Sequence, residues 1–283
     1  MPDSPPSASP QAPSRSAEQA VPSLRAARYS QSLERGLAIL SAFSAERPVM
    51  GIAEIAEALG MSRSTTHRYA STLLALGYLE QGASRKYRLG LRVTELGMSA
   101  LSATPLREHA RPFLVELRAQ YPYASNVAVL DGDEVVLVDR VRGLRRGRHS
   151  LESTLHPGSR FPAHCTAIGK LLLAYLPQPA QQQLVSSLRL ARHGPRTITS
   201  RRELREELTR IRAAGIATSQ DELAADLQAI AMPVHDEAGE VIAGVNLVAG
   251  GSKVCLAQLL EEVGAPLRST AGRISARLGY CPA

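Results

Sequence analysis

In the stretch MSRSTTHRYASTLLALGYL, residues 61–79, the outward positions Ser64, Thr65, His67, Arg68, Ser71 and Thr72 combine short hydroxyls, an imidazole and a guanidinium, with no acid. Placed on a helix at about 100° per residue, residues 62–76 put these six on one side and Thr66, Tyr69, Ala70, Leu73 and Leu76 on the other. A solvated helix face normally uses Glu, Lys and Gln, which form helices better than Ser or Thr. Short hydroxyls beside an arginine instead suit close approach to phosphates and base edges, where bulk obstructs and negative charge repels. The helix N-terminus adds its own attraction for phosphate. Arg68, His67 and Ser64, with Ser71 beside them, are expected in the major groove of double-stranded DNA. Ser62, Arg63 and Thr65 are expected on phosphates. Arg85 and Lys86 are expected on the backbone or in the minor groove.

A second chemistry sits at CTAIGK, residues 165–170. Thr166 reads as an N-cap, so the amides of Ala167, Ile168 and Gly169 are expected free at a helix start, where small residues let a carboxylate reach the backbone. His164 and Cys165 raise the alternative of a nucleophile with its base, in a cysteine-dependent hydrolase carrying a DNA-binding appendage. Neighbouring side chains in an extended segment point apart, however, and Cys165 reads as a small buried hydrophobe. Asp221–Glu222 reads as a solvated turn, or as a hydrogen-bonding position near a pocket, rather than a catalytic acid pair. The five arginines 140, 142, 145, 146 and 148 read as a charged surface loop, the alternative being that Arg148 pairs with an acidic ligand. Asn246, an amide among Val, Gly and Leu in a core strand, needs a partner.

These residues need elements to hold them. SLERGLAILSAF spaces Leu33, Leu37, Leu40 and Phe43 as one helix face, with Ser32 as its N-cap. GIAEIAEALG sets Ile52, Ile55, Ala56 and Leu59 on a second helix that stops at Gly60. The third helix runs from Ser62 to about Leu76 and ends at Gly77. Three short helices with a tight glycine turn between the last two form a helix-turn-helix. YLEQGASRKYRLG follows as a basic hairpin, starting at Tyr78 and Leu79 and turning at Gly82, Ala83 and Ser84, which makes the motif winged. Between Met61 and Arg92 six basic residues (Arg63, Arg68, Arg85, Lys86, Arg88, Arg92) face one acid, Glu80.

Beyond a connecting helix in LRVTELGMSALS, strands and helices alternate. Hairpins are expected to turn at Asp131–Gly132 and Ala238–Gly239, helices to occupy TAIGKLLLAYL and SRRELREELTRIRAAG, and a closing helix to break near Pro266. This is an α+β pattern, an antiparallel sheet with helices packed on it. The expected domains are a disordered proline-rich tail at 1–27, a winged helix-turn-helix at 28–90, a linker helix at 91–103 and a second domain at 104–283. The chain has 283 residues, 44% of them hydrophobic, and a formal charge of +7, which permits an anionic partner. With no apolar run near 18 residues and no secretory pattern, neither a membrane partner nor export is expected. Cys165, Cys255 and Cys281 have no paired spacing, so neither disulfides nor a metal site is expected, nor any cofactor.

The order QSLERGLAILSAF, IAEIAEALGMSRSTTHRYASTLLALGYLEQ and KYRLG resembles the IclR family of bacterial transcriptional regulators. GSRFPAHCTAIGKLLLAYLP and GIATSQDELAADLQAIAMPVHDEAGEVIAGVNLVAG resemble that family's effector-binding domain. The resemblance spans roughly residues 29–280, and PAHCTAIGK is similar to regulators of aromatic-acid catabolism. It implies a GAF-like effector domain with a curved antiparallel sheet, a pseudo-palindromic DNA operator, a homodimer or homotetramer, no enzyme activity and a cytoplasmic, nucleoid-associated protein. By motif it implies that Phe161, Thr166, Ala167, Ile168, Ser219, Leu227, Ala229, Asn246 and Val248 line a site for a small organic acid. Ala229 and Val248 stand where other members carry serine or acidic residues.

Overall fold

The structure is a computed structural model that describes residues 29–44, 46–102, 105–144, 155–251 and 254–281. The tail at 1–27 and the arginines 145, 146 and 148 lie outside these residues. The chain divides into two compact units, residues 1–100 and 101–283.

In the first unit, α1 (Gln31–Ser41), α2 (Ile52–Leu59) and α3 (Arg63–Ala75) precede a hairpin of β1 (Leu79–Gln81) and β2 (Tyr87–Leu89). Ser30, not Ser32, caps α1, by accepting from the Leu33 amide, and Ser32 lies inside the helix. Two expected core residues of α1 also face outward: Leu33 is 64% and Leu37 54% exposed. The core takes the next face around, with Ile39 and Phe43 packing on Met50, Ile55, Ala70, Leu79 and Tyr87. Gly60 ends α2 at φ 63°, a left-handed stop that glycine adopts at little cost. Leu76 lies just past the end of α3 and is exposed, while Leu74 packs in its place. The Arg92 guanidinium donates to the Leu76 carbonyl (2.8 Å) and stacks on Tyr78, tying off that end. Paired hydrogen bonds between Met50 and Tyr87 (2.8 and 2.9 Å) fasten the hairpin to the segment before α2. The connecting helix is α4 (Arg92–Ser102).

The second unit opens with α5 (Pro105–Gln120) and then builds a six-stranded sheet. Its strands are β3 (Ala124–Asp131), β4 (Glu134–Val141), β5 (Arg160–Pro162), β6 (Ala217–Gln220), β7 (Leu227–His235) and β8 (Val241–Gly250). Their order is β5-β4-β3-β8-β7-β6 and every pair is antiparallel. Gly132 and Gly239 make the two expected hairpin turns with positive φ. Register shifts at Val127/Ala128 and Val234/His235 bend the sheet as bulges do.

Period-two alternation divides the strands between two cores. Ile230, Met232, Val245 and Leu247 face α5 and α9 (Leu256–Arg277). Ala128, Leu137, Ala229 and Ala231 face α6 (Ala167–Tyr175), with α7 (Gln178–Ser187) and α8 (Arg201–Ala214) packed around it. The expected break at Pro266 is absent: α9 continues through it. Val263, Gly264 and Leu267 are buried on either side, and this packing outweighs the lost backbone hydrogen bond.

Candidate nucleic-acid interface and ligand cavity

Ser62 starts α3 as its N-cap, accepting from the Thr65 amide (3.2 Å) and donating to the Thr65 hydroxyl (2.8 Å). Its hydroxyl thus caps the helix. The cap holds the helix start open, with the first amides unpaired within the helix. Ser64, His67 and Arg68 are exposed along the outward face, with Thr65 and Ser71 half-buried at its edges. His67 lies within 3.5 Å of the Ser71 hydroxyl, and the Arg68 guanidinium rests over the Tyr69 ring. Tyr69 in turn donates to Ser32 on α1, so the helix that carries Arg68 is braced from behind (3.2 Å).

Among the described residues, Arg63, Arg68 and Arg85 have no carboxylate partner, whereas Lys86 pairs with Glu54 (3.2 Å) and Arg88 with Glu80 (2.7 Å). Three guanidiniums are thus uncompensated on this surface, and Lys86 must exchange Glu54 for any other anion. Arg85 holds a left-handed turn (φ 58°) at the tip of the hairpin, where its side chain is exposed.

In the second unit, all nine positions named by motif surround one cavity. Phe161 comes from β5, Thr166, Ala167 and Ile168 from the start of α6, and Ser219 from β6. Leu227 and Ala229 come from β7, and Asn246 and Val248 from β8. Sequence reasoning did not name Asn126, Val135, Leu137, Leu155 and Leu223, which also line it. Arg140, expected in a charged surface loop, belongs to β4 and lines the cavity too. One strand alone does not reveal which positions oppose Asn246 across a sheet. The register pairs it with Asn126, whose amide donates to the Asn246 carbonyl oxygen (2.8 Å). Arg140 donates to the Asn126 oxygen (3.3 Å). The buried amide thus has its partner, and a cation stands behind the pair. Apart from Thr166 and Ser219 the other lining residues are apolar, a balance typical of small-molecule sites.

Thr166 caps α6 as expected, but its hydroxyl takes the Gly169 amide (3.1 Å), so only the Ala167 and Ile168 amides remain for a ligand. Glu222 is not in a solvated turn. It is buried and accepts from the Lys170 ammonium at 2.6 Å, with Glu207 a second partner at 3.3 Å. Burial pushes the Glu222 carboxyl above the ordinary range, and Lys170 pulls it back in part. The lone lysine in AIGKLLLAY was the available signal for this cluster, since a lysine in a wholly apolar helix face needs an acid.

His164 and Cys165 lie in a 3-10 turn (Ala163–Cys165) rather than an extended segment. His164 is held on the Ala191 carbonyl (3.0 Å). Burial, reinforced by the Glu222 charge, pushes the Cys165 thiol up to about 12. A buried, protonated thiol is no nucleophile, so the hydrolase reading lacks its thiolate.

Comparison with known proteins agrees across both units. Residues 32–83 match the IclR helix-turn-helix domain, and residues 98–276 match the family described as bacterial transcriptional regulator IclR C-terminal. The chain is 31% identical to the HTH-type transcriptional regulator XynR of Escherichia coli (strain K12), covering 88% of this chain and 98% of that one. It is 34% identical to the p-hydroxybenzoate hydroxylase transcriptional activator of Acinetobacter baylyi (strain ATCC 33305 / BD413 / ADP1), covering 89% and 93%. A solved IclR homolog complexed with 4-hydroxybenzoate from Microbacterium hydrocarbonoxydans superposes with a TM-score of 0.75 at 27% identity, covering 88% of this chain and 99% of that one.

Proposed function

This chain belongs to the IclR family of bacterial transcriptional regulators, and from that premise we propose that α3 reads an operator while a small carboxylic acid, of about the size of an aromatic ring, in the second unit's cavity sets its affinity. The relatives are named as regulators rather than enzymes. The observation that carries DNA reading is the acid-free outer face of α3, with Arg63 and Arg68 lacking any carboxylate partner among the described residues. Arg68, His67, Ser64 and Ser71 take the groove, and Arg63 and Thr65 the phosphates. Arg85, and Lys86 once released by Glu54, take the flanking backbone. Replacing Arg68 by alanine costs about 1–3 kcal/mol of operator binding and relaxes preference at one base pair. Gel-shift titrations over single-base operator variants test this, and unchanged affinity and preference would remove Arg68 from the groove.

The effector class rests on the cavity's chemistry. Apolar walls accept a ring or short chain, while the Ala167 and Ile168 amides at the start of α6 and the Arg140–Asn126–Asn246 row offer donors to a carboxylate and a hydroxyl. The Microbacterium homolog was solved with 4-hydroxybenzoate, an acid of the class that these walls and donors suit. Two-state coupling follows if the acid prefers one arrangement of the effector unit and that arrangement favours one spacing of paired DNA-reading helices. At about 100 times its Kd the acid adds about 2.7 kcal/mol to stability. A thermal-shift series with 4-hydroxybenzoate, benzoate and short-chain acids therefore shows a rise that Ala229→Phe, which fills the cavity, abolishes. If no acid raises the melting temperature, the effector reading falls.

Pairing into a homodimer or homotetramer is supported by leucines left in solvent on α1 and beside and within α4: Leu33, Leu37, Leu91 and Leu96, with Leu91 81% exposed. A pseudo-palindromic operator suits such a dimer. Among the described residues no helix is long and apolar enough to cross a membrane. A cytoplasmic, nucleoid-associated location suits a DNA-bound regulator.

A further inference from the structure

Beside the ligand cavity, but not lining it, His164, Cys165 and His193 bring one candidate donor atom each to within 4.8 Å of one another. They come from distant points in the chain. His164 and Cys165 end the turn between β5 and α6, and His193 lies between α7 and α8. We infer that His164, Cys165 and His193 form a binding site for one zinc-class divalent cation, with two imidazole nitrogens and one thiolate as ligands.

The donor set is the main reason. Two nitrogens and a sulfur suit zinc, and three protein ligands leave a fourth position for water or a small ligand. Tetrahedral zinc holds such atoms about 3.3–3.6 Å apart, so binding draws this cluster together by side-chain rotation of about an ångström. His164 and Cys165 are buried and His193 is half-exposed, which gives an ion a route in.

The surrounding charge is compatible with that donor set. Among the described residues, two buried carboxylate oxygens, Asp133 Oδ1 and Glu222 Oε2, have no hydrogen-bond partner. The Asp133 charge acts on His164 and the Glu222 charge acts on Cys165. Lys170 also acts on Cys165, but its ammonium is paired with Glu207 and Glu222. Glu222 already has Lys170, so the Asp133 carboxylate is the charge that favours a cation here.

The frame is rigid on both sides. His164 is oriented by the Ala191 carbonyl (3.0 Å), the kind of outer partner that fixes a metal-binding imidazole. The His193 and Gly194 amides both donate to the Thr197 hydroxyl (3.0 and 2.8 Å). A side chain on Gly194 would meet the Asp221 carbonyl oxygen at 2.2 Å, so this segment is seated closely against the start of the Glu222 turn. Binding releases the Cys165 proton to solvent, one per ion, and joins the β5–α6 turn to the segment before α8. The absence of paired cysteine spacing therefore does not settle the question of a metal, because His193 enters the cluster only in the fold.

The test uses full-length protein stripped with a chelator and titrated with Co(II). One equivalent is expected to produce the near-ultraviolet sulfur-to-cobalt charge-transfer band and a tetrahedral visible spectrum, both displaced by Zn(II). Cys165→Ala is expected to lose the charge-transfer band. Cys255→Ser with Cys281→Ser is expected to keep it. His193→Ala is expected to weaken Zn(II) binding, measured against a chromophoric chelator, by at least the roughly 10-fold that even an outer-shell loss costs. His193 is half-exposed, so this variant keeps the test decisive if Cys165→Ala fails to fold. No charge-transfer band in the parent protein, the same band in folded Cys165→Ala, or unchanged Zn(II) affinity in His193→Ala overturns the site.

Discussion

Lys170→Met is expected to lower the unfolding free energy by about 3–5 kcal/mol, the cost of stranding a buried charge by removing its partner. Lys170 is 1% exposed, and its ammonium reaches Glu222 Oε1 at 2.6 Å and Glu207 Oε1 at 3.3 Å. Glu207 keeps Arg210 (2.7 Å), so Glu222 is the group left stranded. Methionine matches the length of the lysine stem, which separates loss of charge from loss of packing. The sign with pH follows from Glu222. Its carboxyl is already raised by burial, and removing Lys170 raises it further. The folded variant then holds a proton that the unfolded chain releases near the ordinary carboxyl value, about 4.3. That contribution is full below about 4.3 and is lost as pH rises through the raised folded value. The deficit against the parent protein is therefore largest at neutral pH and shrinks on acidification. Urea denaturation at pH 5 and pH 7.5 measures it, and Glu222→Gln in the Lys170→Met background is expected to recover a large part. A deficit under about 0.5 kcal/mol at pH 7.5, typical of surface changes, would falsify the buried-pair account.

Gly169→Ala is expected to be nearly as damaging, although the same change usually stabilises a helix by about 0.5–1 kcal/mol. A Cβ at Gly169 would lie 2.3 Å from the Ala163 carbonyl oxygen, 2.4 Å from the Ala163 Cα and 2.6 Å from the Thr166 hydroxyl. The first two are backbone of the 3-10 turn and cannot swing aside, so α6 must lift from the turn it follows. Overpacking of this kind costs about 1–3 kcal/mol and more where backbone must move. Because Thr166, Ala167 and Ile168 line the cavity, the acid-dependent thermal shift should be lost along with stability. Gly272→Ala is the internal control: it lies on the exposed side of α9 with nothing within 4 Å of the new methyl. Thermal melts of the two variants should move in opposite directions. Equal, small shifts would show that α6 accommodates the methyl by relaxing.

The extent and cap of α3 are legible in the sequence because they depend on local requirements. The Ser62 cap, the Gly60 stop and the 3.6-residue period all lie within one or two turns of the residues they govern. The same reasoning misplaced the buried face of α1, where Leu33 and Leu37 are as apolar as Ile39 yet point to solvent. Periodicity identifies an apolar stripe but not which part of a wide stripe meets its neighbours. Pro266 misled for the converse reason. A local rule predicted a break, and contacts made by Val263 and Leu267 overrode it.

By itself the sequence determined the winged helix-turn-helix, the acid-free polar face of its third helix, the two long hairpins and, through motif resemblance, nine positions that the fold gathers around one cavity. Capping, turn geometry and side-chain period are short-range properties, so they can be read along the chain. Only the tertiary structure decided that Asn126 and Arg140 stand behind Asn246, that Lys170 pairs with Glu207 and Glu222, and that His193 meets His164 and Cys165. Each of these joins residues from different elements, through strand register or the seating of a loop. Burial then makes the pairing count, because a charge or amide removed from water must be satisfied by whatever the fold places beside it.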